Sequence, residues 1–263
     1  MAPLKKVFLV TGASSGLGQY LALAAARRGL RVALLARRLD LLRALEKTIV
    51  SRGGEALCLP LDIRQPDGVV EAFSSIDSEW GRLDVLINNA GVVEPVAPLV
   101  KATDEDLLAS LLTNVFGVYL TTREALKYMI RLKIRGSIIN ITSGAAIHPY
   151  AGWCAYGSQK AAVNMFTRIA ALEAESHAIR VMAVSPGTFE SRMQQTIRNT
   201  AREDFPARDK FIALHEQGQL QPPDEIARTI VDLGLSDWPG LSGRLEDLRS
   251  EDFKKECRAH GIE

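Results

Sequence analysis

The sequence predicts an α/β protein with a doubly wound parallel sheet, and three observations support this. Short apolar runs alternate with longer helical patterns along most of the 263-residue chain. A glycine-rich turn joins the first apolar run to the first helical pattern. Apolar residues make up 47% of the chain, which is enough for a sizeable core and excludes a disordered protein. Such alternation builds βαβ units with right-handed crossovers and places a ligand site beyond the carboxyl ends of the strands.

The apolar runs and helical patterns can be assigned in chain order. Strands are predicted at 6–11, 31–36, 55–60, 83–88, 136–142 and 179–184, and helices at 16–28, 39–52, 66–80, 103–132, 153–176 and 223–235. Two regions are irregular in pattern: residues 189–223, which are polar and hold three prolines, and the charged residues 244–263, which end in a possible helix, Glu251–His260. No repeat or linker divides the chain, so we expect a single domain over 1–263.

The glycine-rich turn, TGASSGLG at 11–18, follows the apolar run Val7–Val10 and precedes an alanine-rich helical pattern. A strand, a tight glycine turn and a helix are the setting of a dinucleotide site. Glycines let the backbone approach a pyrophosphate, and the helix N-terminus offers N–H donors. The spacing here is G-x-x-x-G-x-G rather than G-x-G-x-x-G, so an ordinary strand-to-helix turn is the alternative interpretation.

Tyr156 and Lys160 are four residues apart in a predicted helix, so their side chains share one face. A free tyrosine has a pKa of about 10, too high for acid–base work at neutral pH. A neighbouring cation is expected to lower that pKa, so that the phenol can exchange a proton with a carbonyl oxygen or an alcohol. Alone, the pattern also fits a surface helix pair. Ser143, thirteen residues before the tyrosine, favours the catalytic interpretation.

Six motifs in a fixed order resemble the short-chain dehydrogenase/reductase family, over about Lys5 to Gly243. They are TGASSGLG at 11–18, NNAG at 88–91, Asn114 in TNVFG, Ser143 in NITS, YGSQK at 156–160 and PGTFES at 186–191. The resemblance implies a Rossmann-like doubly wound parallel sheet of about seven strands, with helices on both faces. The turn 241–243 resembles the family's entry into the seventh strand, but the usual D-G-G ending is missing, and the charged residues 244–250 follow instead.

The resemblance also implies a catalytic set, which is Asn114, Ser143, Tyr156 and Lys160. In the family the asparagine holds a water that relays protons to the lysine, and the serine hydroxyl fixes the substrate carbonyl. The tyrosine is the general acid or base, and the lysine lowers its pKa and binds the nicotinamide ribose. The spacing to Tyr156 selects Ser143 over Thr142. His148 is interpreted as loop structure or substrate wall rather than as a catalyst.

The end of the second strand predicts the choice of cofactor. Where NAD-binding relatives carry a carboxylate, this chain has Ala36, followed by Arg37 and Arg38. A guanidinium can grip a 2′-phosphate through charge-assisted contacts, which favours NADP over NAD. The alternative is that one or both arginines only cap the strand in solvent, and Arg38 fits that interpretation better. Many NADP-using relatives have a basic residue where this chain has Ser15.

Further cofactor contacts follow from matching positions in the motifs. Asp62 corresponds to the family's contact to the adenine amino group, although it could instead form a turn or a helix cap. Asn88 is interpreted as a structural brace, whereas Asn89 is expected against the cofactor. The remaining predicted cofactor-binding residues are Gly12, Ser14, Ser15, Gly16, Leu17, Gly18, Ile63, Ala90, Gly91, Pro186, Gly187 and Ser191.

Composition limits the other classes of function. The net charge of +1 argues against a nucleic-acid or membrane partner. Three dispersed cysteines without a CxxC pair indicate reduced thiols, no metal site and a cytoplasmic location. We expect a homodimer or homotetramer that pairs through the helices at 103–132 and 153–176.

Two functional classes remain on the sequence. The first is an NADP(H)-dependent reductase of ketones or aldehydes, working in either direction, and the second is a cofactor-binding regulator on the same fold. The intact catalytic set favours the enzyme. Residues 189–223 are expected to line the substrate pocket as a mobile lid. Apolar residues near the site suggest a substrate with an apolar or aromatic group, with core packing as the alternative: Ile147, Trp153, Phe189, Met193 and Phe211.

Overall fold

The computed structural model describes residues 5–262, and they form a seven-stranded, fully parallel sheet. The strands are β1 (Val7–Thr11), β2 (Arg31–Ala36), β3 (Glu55–Pro60), β4 (Val85–Asn88), β5 (Ser137–Ile141), β6 (Arg180–Ser185) and β7 (Leu245–Asp247). Their order in the sheet is β3-β2-β1-β4-β5-β6-β7. The chain winds outward from β1 to β3 and then crosses back to β4, so β1 and β4 flank the switch point where such sheets bind ligands. The predicted fold class is confirmed.

Ten α-helices are found among the described residues. They are α1 (Gly16–Arg27), α2 (Leu39–Val50), α3 (Pro66–Trp80), α4 (Asp104–Leu111), α5 (Gly117–Arg131), α6 (Cys154–Ala174), α7 (Arg192–Asn199), α8 (Arg208–Glu216), α9 (Pro223–Leu235) and α10 (Glu251–Ala259). The bounds of α3 and α9 are the predicted ones. The prediction of one continuous helix at 103–132 was wrong, because a π-helical segment, Leu112–Phe116, separates α4 from α5.

Alternate residues of the central strand point into two separate cores. Phe8 and Val10 of β1 pack with α1, α2, α9 and α10 on one face of the sheet. Val7 and Leu9 pack with α3, α5 and α6 on the other face. All four side chains are fully buried. Burial on both faces explains why the central strands read as continuous apolar runs in the sequence.

The two regions of irregular pattern are more ordered than the sequence predicts. Residues 189–223 contain the short helices α7 and α8, so their description as a long loop was wrong. Their polar faces hide the pattern, because only a few side chains of each helix are buried. After β7, helix α10 packs on the core through Phe253 and Cys257.

Two further findings concern the chain over residues 5–262. None of its helices combines the length and the apolar character needed to cross a membrane. No group of three or more histidine, cysteine or acidic side chains is arranged to hold a metal ion in that part of the chain.

Candidate active site

A cleft of about 1400 Å³ runs along the carboxyl edge of the sheet. It brings together every predicted cofactor-binding residue except Gly18, and three of the four predicted catalytic residues. The predicted residues that line it are Gly12, Ser14, Ser15, Gly16, Leu17, Arg37, Arg38, Asp62, Ile63, Asn89, Ala90, Gly91, Ser143, Tyr156, Lys160, Pro186, Gly187 and Ser191.

The glycine turn between β1 and α1 is built so that only glycine fits at two positions. A Cβ atom on Gly18 would lie 2.3 Å from the carbonyl oxygen of Gly12. Gly18 therefore lets α1 pack closely against the turn, and it does not face the cleft. Gly12 has φ +68°, and a Cβ atom added to it would lie only 2.9 Å from Cα of Ala90. Gly16 has φ +57° and faces open space. A Cβ atom at Gly16 would therefore fill space along the cleft in which a ligand backbone can approach.

Arg38 lies across the glycine turn. Its Nη2 donates hydrogen bonds to Oγ of Ser14 at 3.0 Å and to Oγ of Ser15 at 2.9 Å. Arg38 is exposed, as the alternative interpretation supposed, but the two serine hydroxyls hold its guanidinium over the turn. Arg37 and Arg38 are both exposed at the end of β2, where both line the cleft. This end of the cleft carries two positive charges and two hydroxyls, which suits an anionic group.

The two asparagines at the end of β4 have different surroundings. Asn88 is buried, and its Nδ2 donates to Thr122 and Asn140 while its Oδ1 accepts from Thr121. It joins β4, β5 and α5, so its placement agrees with the brace interpretation. Asn89 lines the cleft, and its Nδ2 donates to the carbonyl oxygen of Thr11 at 2.9 Å.

Ser143, Tyr156 and Lys160 meet where β5 and the start of α6 border the cleft. Tyr156 and Lys160 lie one helical turn apart in α6, with the lysine Nζ 5.8 Å from the centroid of the phenol ring. The Ser143 hydroxyl lies close enough to the tyrosine hydroxyl to affect its pKa. Lys160 Nζ donates to the carbonyl oxygen of Ile141 at 2.8 Å, which fixes the ammonium beneath the end of β5. Thr142 instead turns inward and donates to Asn164, as the choice of Ser143 requires.

Burial dominates the electrostatics of this group. It raises the pKa of the Tyr156 phenol, and the smaller effect of the nearby Ser143 hydroxyl acts in the opposite direction. The expected lowering of the tyrosine pKa is therefore not found, because withdrawal from water disfavours the phenolate. Burial also lowers the pKa of Lys160 to about 8. The pair is thus a neutral phenol beside an amine that is still mostly protonated at pH 7.

Asn114 lies in the π-helical segment, behind the cleft rather than in its wall. Its Oδ1 accepts from the backbone N–H of Val92 at 2.8 Å, and its Nδ2 donates to the carbonyl oxygen of Val92 and to Gln159. A Cβ atom on Gly91 would meet both Asn114 Oδ1, at 3.1 Å, and Lys160 Nζ, at 3.6 Å. The asparagine therefore lies beside the lysine end of the site. Asparagine is an unfavourable residue inside an α-helix, and here it lies in a distorted, π-helical segment.

Asp62 lies in the wall of the cleft and also shapes the turn before α3. It lines the cleft, and its carboxylate accepts from the backbone N–H of Arg64 and from that residue's guanidinium. Burial opposes ionisation, but the bonds from Arg64 outweigh it and hold the pKa of Asp62 below its ordinary value. Helix α3 begins after Gln65, so Asp62 shapes the turn without capping the helix. Ser191 does cap a helix, since its Oγ accepts from the N–H of Gln194 at the start of α7.

Aromatic side chains form the far wall of the cleft. Trp153 packs against Phe205 with ring centroids 4.6 Å apart, and against Tyr156 at 5.4 Å. Tyr150 and Phe211 complete the group. Of the five apolar residues proposed from the sequence, Trp153, Phe189, Met193 and Phe211 line the cleft. The prediction that Ile147 lies near the substrate was wrong, because Ile147 is 71% exposed and lies outside the cleft.

Three residues of the site were not predicted from the sequence. Tyr150 joins the aromatic wall, and Gln159 links Asn114 to Ser110. Arg249 comes from the segment after β7 and enters the cleft beside Gly144 and Gly187. The position of Gln159 inside YGSQK could have identified it as a buried polar neighbour. No local signal identifies Arg249, because its position depends on the path of the C-terminal segment.

Comparison with known proteins identifies the family. The family model for short chain dehydrogenases matches residues 6–202. The chain is 34% identical over 231 residues to benzil reductase ((S)-benzoin forming) of Bacillus cereus. The matched region covers 86% of this chain and 92% of that protein. This chain belongs to the short-chain dehydrogenase/reductase family, and the family resemblance of the motifs is confirmed.

Solved structures agree with this assignment. The KRED1-Pglu enzyme superposes with a TM-score of 0.85 at 34% identity, over 92% of this chain and 100% of that one. A metagenomic short-chain oxidoreductase in complex with NADP gives a TM-score of 0.74 at 31% identity, over 92% of this chain and 96% of that one. The chain is therefore an oxidoreductase of carbonyl and alcohol groups that uses a nicotinamide cofactor, NAD or NADP.

Proposed function

We propose that this protein is an NADP(H)-dependent carbonyl reductase that interconverts a ketone or aldehyde and an alcohol. The observation that carries the proposal is the meeting of Ser143, Tyr156 and Lys160 in a cleft that the glycine turn also lines. One end of the cleft suits a dinucleotide, and the other end is aromatic. A reacting carbonyl held between them would lie against a hydroxyl and a phenol.

The residues around the reacting carbonyl have separate tasks. Ser143 would donate a hydrogen bond to the carbonyl oxygen and support the negative charge that develops there. Tyr156 would give its phenolic proton to the same oxygen as the alcohol forms. Because burial raises the pKa of Tyr156, the phenol keeps its proton at neutral pH until a strongly basic alkoxide develops. The ammonium of Lys160 would then stabilise the phenolate that remains until it is reprotonated.

The residues of the other half of the cleft fit a dinucleotide. Gly12 and Gly16 leave room for the pyrophosphate at the N-terminus of α1, and Asn89 borders the same turn. Arg37 and Arg38, with Ser14 and Ser15, would hold a 2′-phosphate, and this favours NADP over NAD. When bound, the reduced nicotinamide would supply the hydride to the carbonyl carbon. Lys160 and the loop at Pro186–Gly187 would hold its ribose and ring.

The aromatic wall supports a substrate with an apolar or aryl group beside its carbonyl. Trp153 and Phe211 offer ring faces and edges with which an aryl group packs. The relative named benzil reductase supports carbonyl reduction as the chemistry.

The proposed assembly is a homodimer that pairs through α4, α5 and α6, in the cytoplasm. These helices expose apolar side chains that a monomer would leave in water, among them Leu108, Tyr119, Met165, Ile169 and Leu172. Tyr119 stacks on Phe166 of the same face, with ring centroids 4.2 Å apart. Sedimentation velocity tests this proposal, since a purely monomeric protein at micromolar concentration contradicts it.

A cofactor and substrate screen tests the proposed function. The purified protein is assayed by NADPH or NADH oxidation against aryl ketones, alkyl ketones and aldehydes. We expect turnover of aryl ketones, with a higher kcat/KM for NADPH than for NADH. Tight cofactor binding without turnover of any carbonyl or alcohol would instead favour a cofactor-binding regulator.

A further inference from the structure

Arg249 is a charged residue at the reacting end of the cleft that the proposed chemistry does not use. It follows β7, in the segment that replaces the family's usual ending. A Cβ atom placed on Gly144, the neighbour of Ser143, would lie 3.5 Å from Nη2 of Arg249. A Cβ atom on Gly187 would lie 3.1 Å from both Cγ and Cδ of the same side chain. Arg249 therefore lies between the serine loop and the nicotinamide loop.

Hydrogen bonds and core packing hold the backbone of this segment in place on both sides of Arg249. Asp247 pairs with Ser185 in the β6–β7 ladder, and the N–H of Leu248 donates to the carbonyl oxygen of Ser185 at 3.0 Å. Ser250 caps α10, whose Phe253 is 2% exposed in the core. These contacts place Arg249 at a fixed position relative to the β6 end of the cleft.

Asp247 sets the orientation of the guanidinium. Its Oδ1 accepts from the backbone N–H of Arg249 at 2.9 Å and from Nε at 3.0 Å, and its Oδ2 accepts from Nη2 at 2.6 Å. In these bonds with Asp247, Arg249 uses its backbone N–H, Nε and Nη2, and its Nη1 takes part in none of them. The arginine thus presents a fixed N–H edge to the cleft, and its side chain is 50% exposed.

The charge of the pair indicates the kind of group that this edge would bind. Asp247 compensates the positive charge of Arg249, so a carboxylate gains little net attraction there and lies close to another carboxylate. A neutral oxygen acceptor gains a charge-assisted hydrogen bond without that repulsion. Because Nη2 lies beside Gly144, such an oxygen would belong to the carbon next to the carbonyl that Ser143 holds.

We propose that Arg249 is a specificity-determining positioning residue that binds a second, neutral oxygen beside the reacting carbonyl, so that the preferred substrates are vicinal dicarbonyls. The inference rests on the proposed function and narrows its substrate class. The second carbonyl would be fixed by Arg249 while the first is reduced between Ser143 and Tyr156.

Three ketones that differ only at one position test this role. 1-Phenylpropane-1,2-dione carries the second carbonyl, propiophenone lacks it, and phenylglyoxylate replaces the acyl group with a carboxylate. Values of kcat and KM are measured with saturating NADPH for the wild type, Arg249→Met and Asp247→Asn. The matched control is Arg258→Met, which removes an exposed arginine of α10 outside the cleft.

The wild type should prefer the dione to propiophenone, and Arg249→Met should lower this preference by about tenfold or more, because hydrogen bonds to charged groups are worth about 1.5–3 kcal/mol. The loss should fall mainly on the KM for the dione. Asp247→Asn should raise the activity on phenylglyoxylate relative to the dione, and Arg258→Met should keep the wild-type ratios.

Two results would overturn the role of Arg249 alone. One is a dione-to-propiophenone ratio in Arg249→Met within twofold of the wild type. The other is an equal loss on both ketones, which a merely structural role would give. A wild-type protein that reduces none of the three ketones with NADPH or NADH refutes the proposed function as well as this inference.

Discussion

The two ends of the cleft are built in different ways. The cofactor end rests on the carboxyl ends of β1, β2 and β4, whose core side chains are almost fully buried. The substrate end is assembled from three segments far apart in sequence, 144–153, 189–216 and 247–249. Surface contacts help to hold it, such as Lys101 with Asp204 at 2.6 Å and Lys210 with the hydroxyl of Tyr150 at 3.0 Å. Exposed ion pairs typically contribute about 0–1 kcal/mol, so the substrate end should open at lower free energy than the cofactor end.

The difference suggests a division of work between the two ends. In the proposed function, the sheet edge would fix the cofactor and the proton donor, which every reaction of this kind needs. The helices α7 and α8 and the segment after β7 would then select the carbonyl that reaches them. Changes at one end should therefore leave the task of the other end nearly intact, and each prediction below tests this separation.

The largest effect is expected at the junction of the two ends. Tyr156→Phe removes the proton donor but keeps the ring that packs on Trp153. Turnover of any accepted ketone should fall by about 100-fold or more, the scale of a general acid contribution. Steady-state kinetics and a fluorescence titration of NADPH measure the two properties. NADPH affinity should stay within a few fold, and a variant with near-wild-type turnover would remove Tyr156 from the mechanism.

A change at the end of β2 should alter the cofactor and not the ketone. In the double variant Ala36→Asp with Arg37→Val, a carboxylate repels the 2′-phosphate and one guanidinium is lost. Each charge-assisted contact is worth roughly 1.5–3 kcal/mol, so the NADPH-to-NADH ratio of kcat/KM should fall by about tenfold to several hundredfold. The order of preference among ketones should not change. A wild type that already prefers NADH would contradict the role given to Arg37.

Lys160 should lower the stability of the folded protein while serving catalysis. Burial lowers its pKa from 10.5 to about 8, so charging it at pH 7 carries a penalty that is absent in the unfolded chain. Between pH 8 and pH 10.5 the unfolded state binds more protons, and stability from this group rises with pH. Lys160→Met should therefore raise the free energy of unfolding at pH 7 by about 1–3 kcal/mol and abolish activity.

Urea unfolding of Lys160→Met and of the wild type, at pH 7 and near pH 10.5, measures the difference in their free energies of unfolding. The advantage over the wild type should shrink at the higher pH, where the lysine is neutral in the folded state and about half neutral in the unfolded state. Lys47→Met, on the exposed face of α2, is the matched control and should show no such dependence. A Lys160→Met protein that is less stable than the wild type at pH 7 would mean that the bond to Ile141 outweighs burial.

A smaller effect is expected in the wall near the nicotinamide loop. Phe189 lines the cleft and is only partly buried in the core beneath it. Phe189→Ala should shift the ratio of kcat/KM between aryl and small alkyl ketones by several fold, because it removes apolar contact area. The affinity for NADPH should stay within a few fold. An unchanged substrate profile would place Phe189 outside the substrate wall.

Much of the cofactor end can be predicted from the sequence, whereas less of the substrate end can. The glycine turn, the two asparagines at the end of β4 and the Tyr156–Lys160 pair depend on local spacing. Buried strands position the turn and the asparagines, and helix α6 positions the pair. The path of Arg38 over Ser14 and Ser15 cannot be predicted from local spacing, because a long exposed side chain has many rotamers. Helices α7 and α8 were missed because their few buried positions leave a mostly polar pattern. The pKa of Tyr156 was predicted in the wrong direction because sequence spacing shows the lysine and does not show the burial.

Hydrogen exchange tests the separation of the two ends most directly. Exchange is followed by mass spectrometry in the free protein, with NADPH, and with NADPH plus an unreactive substrate analogue. NADPH alone should protect residues 11–18 and 36–38 and leave 189–216 exchanging quickly, and the analogue should then slow exchange in 189–216. Equal protection of 189–216 in all three states, or its full protection by NADPH alone, would contradict this account.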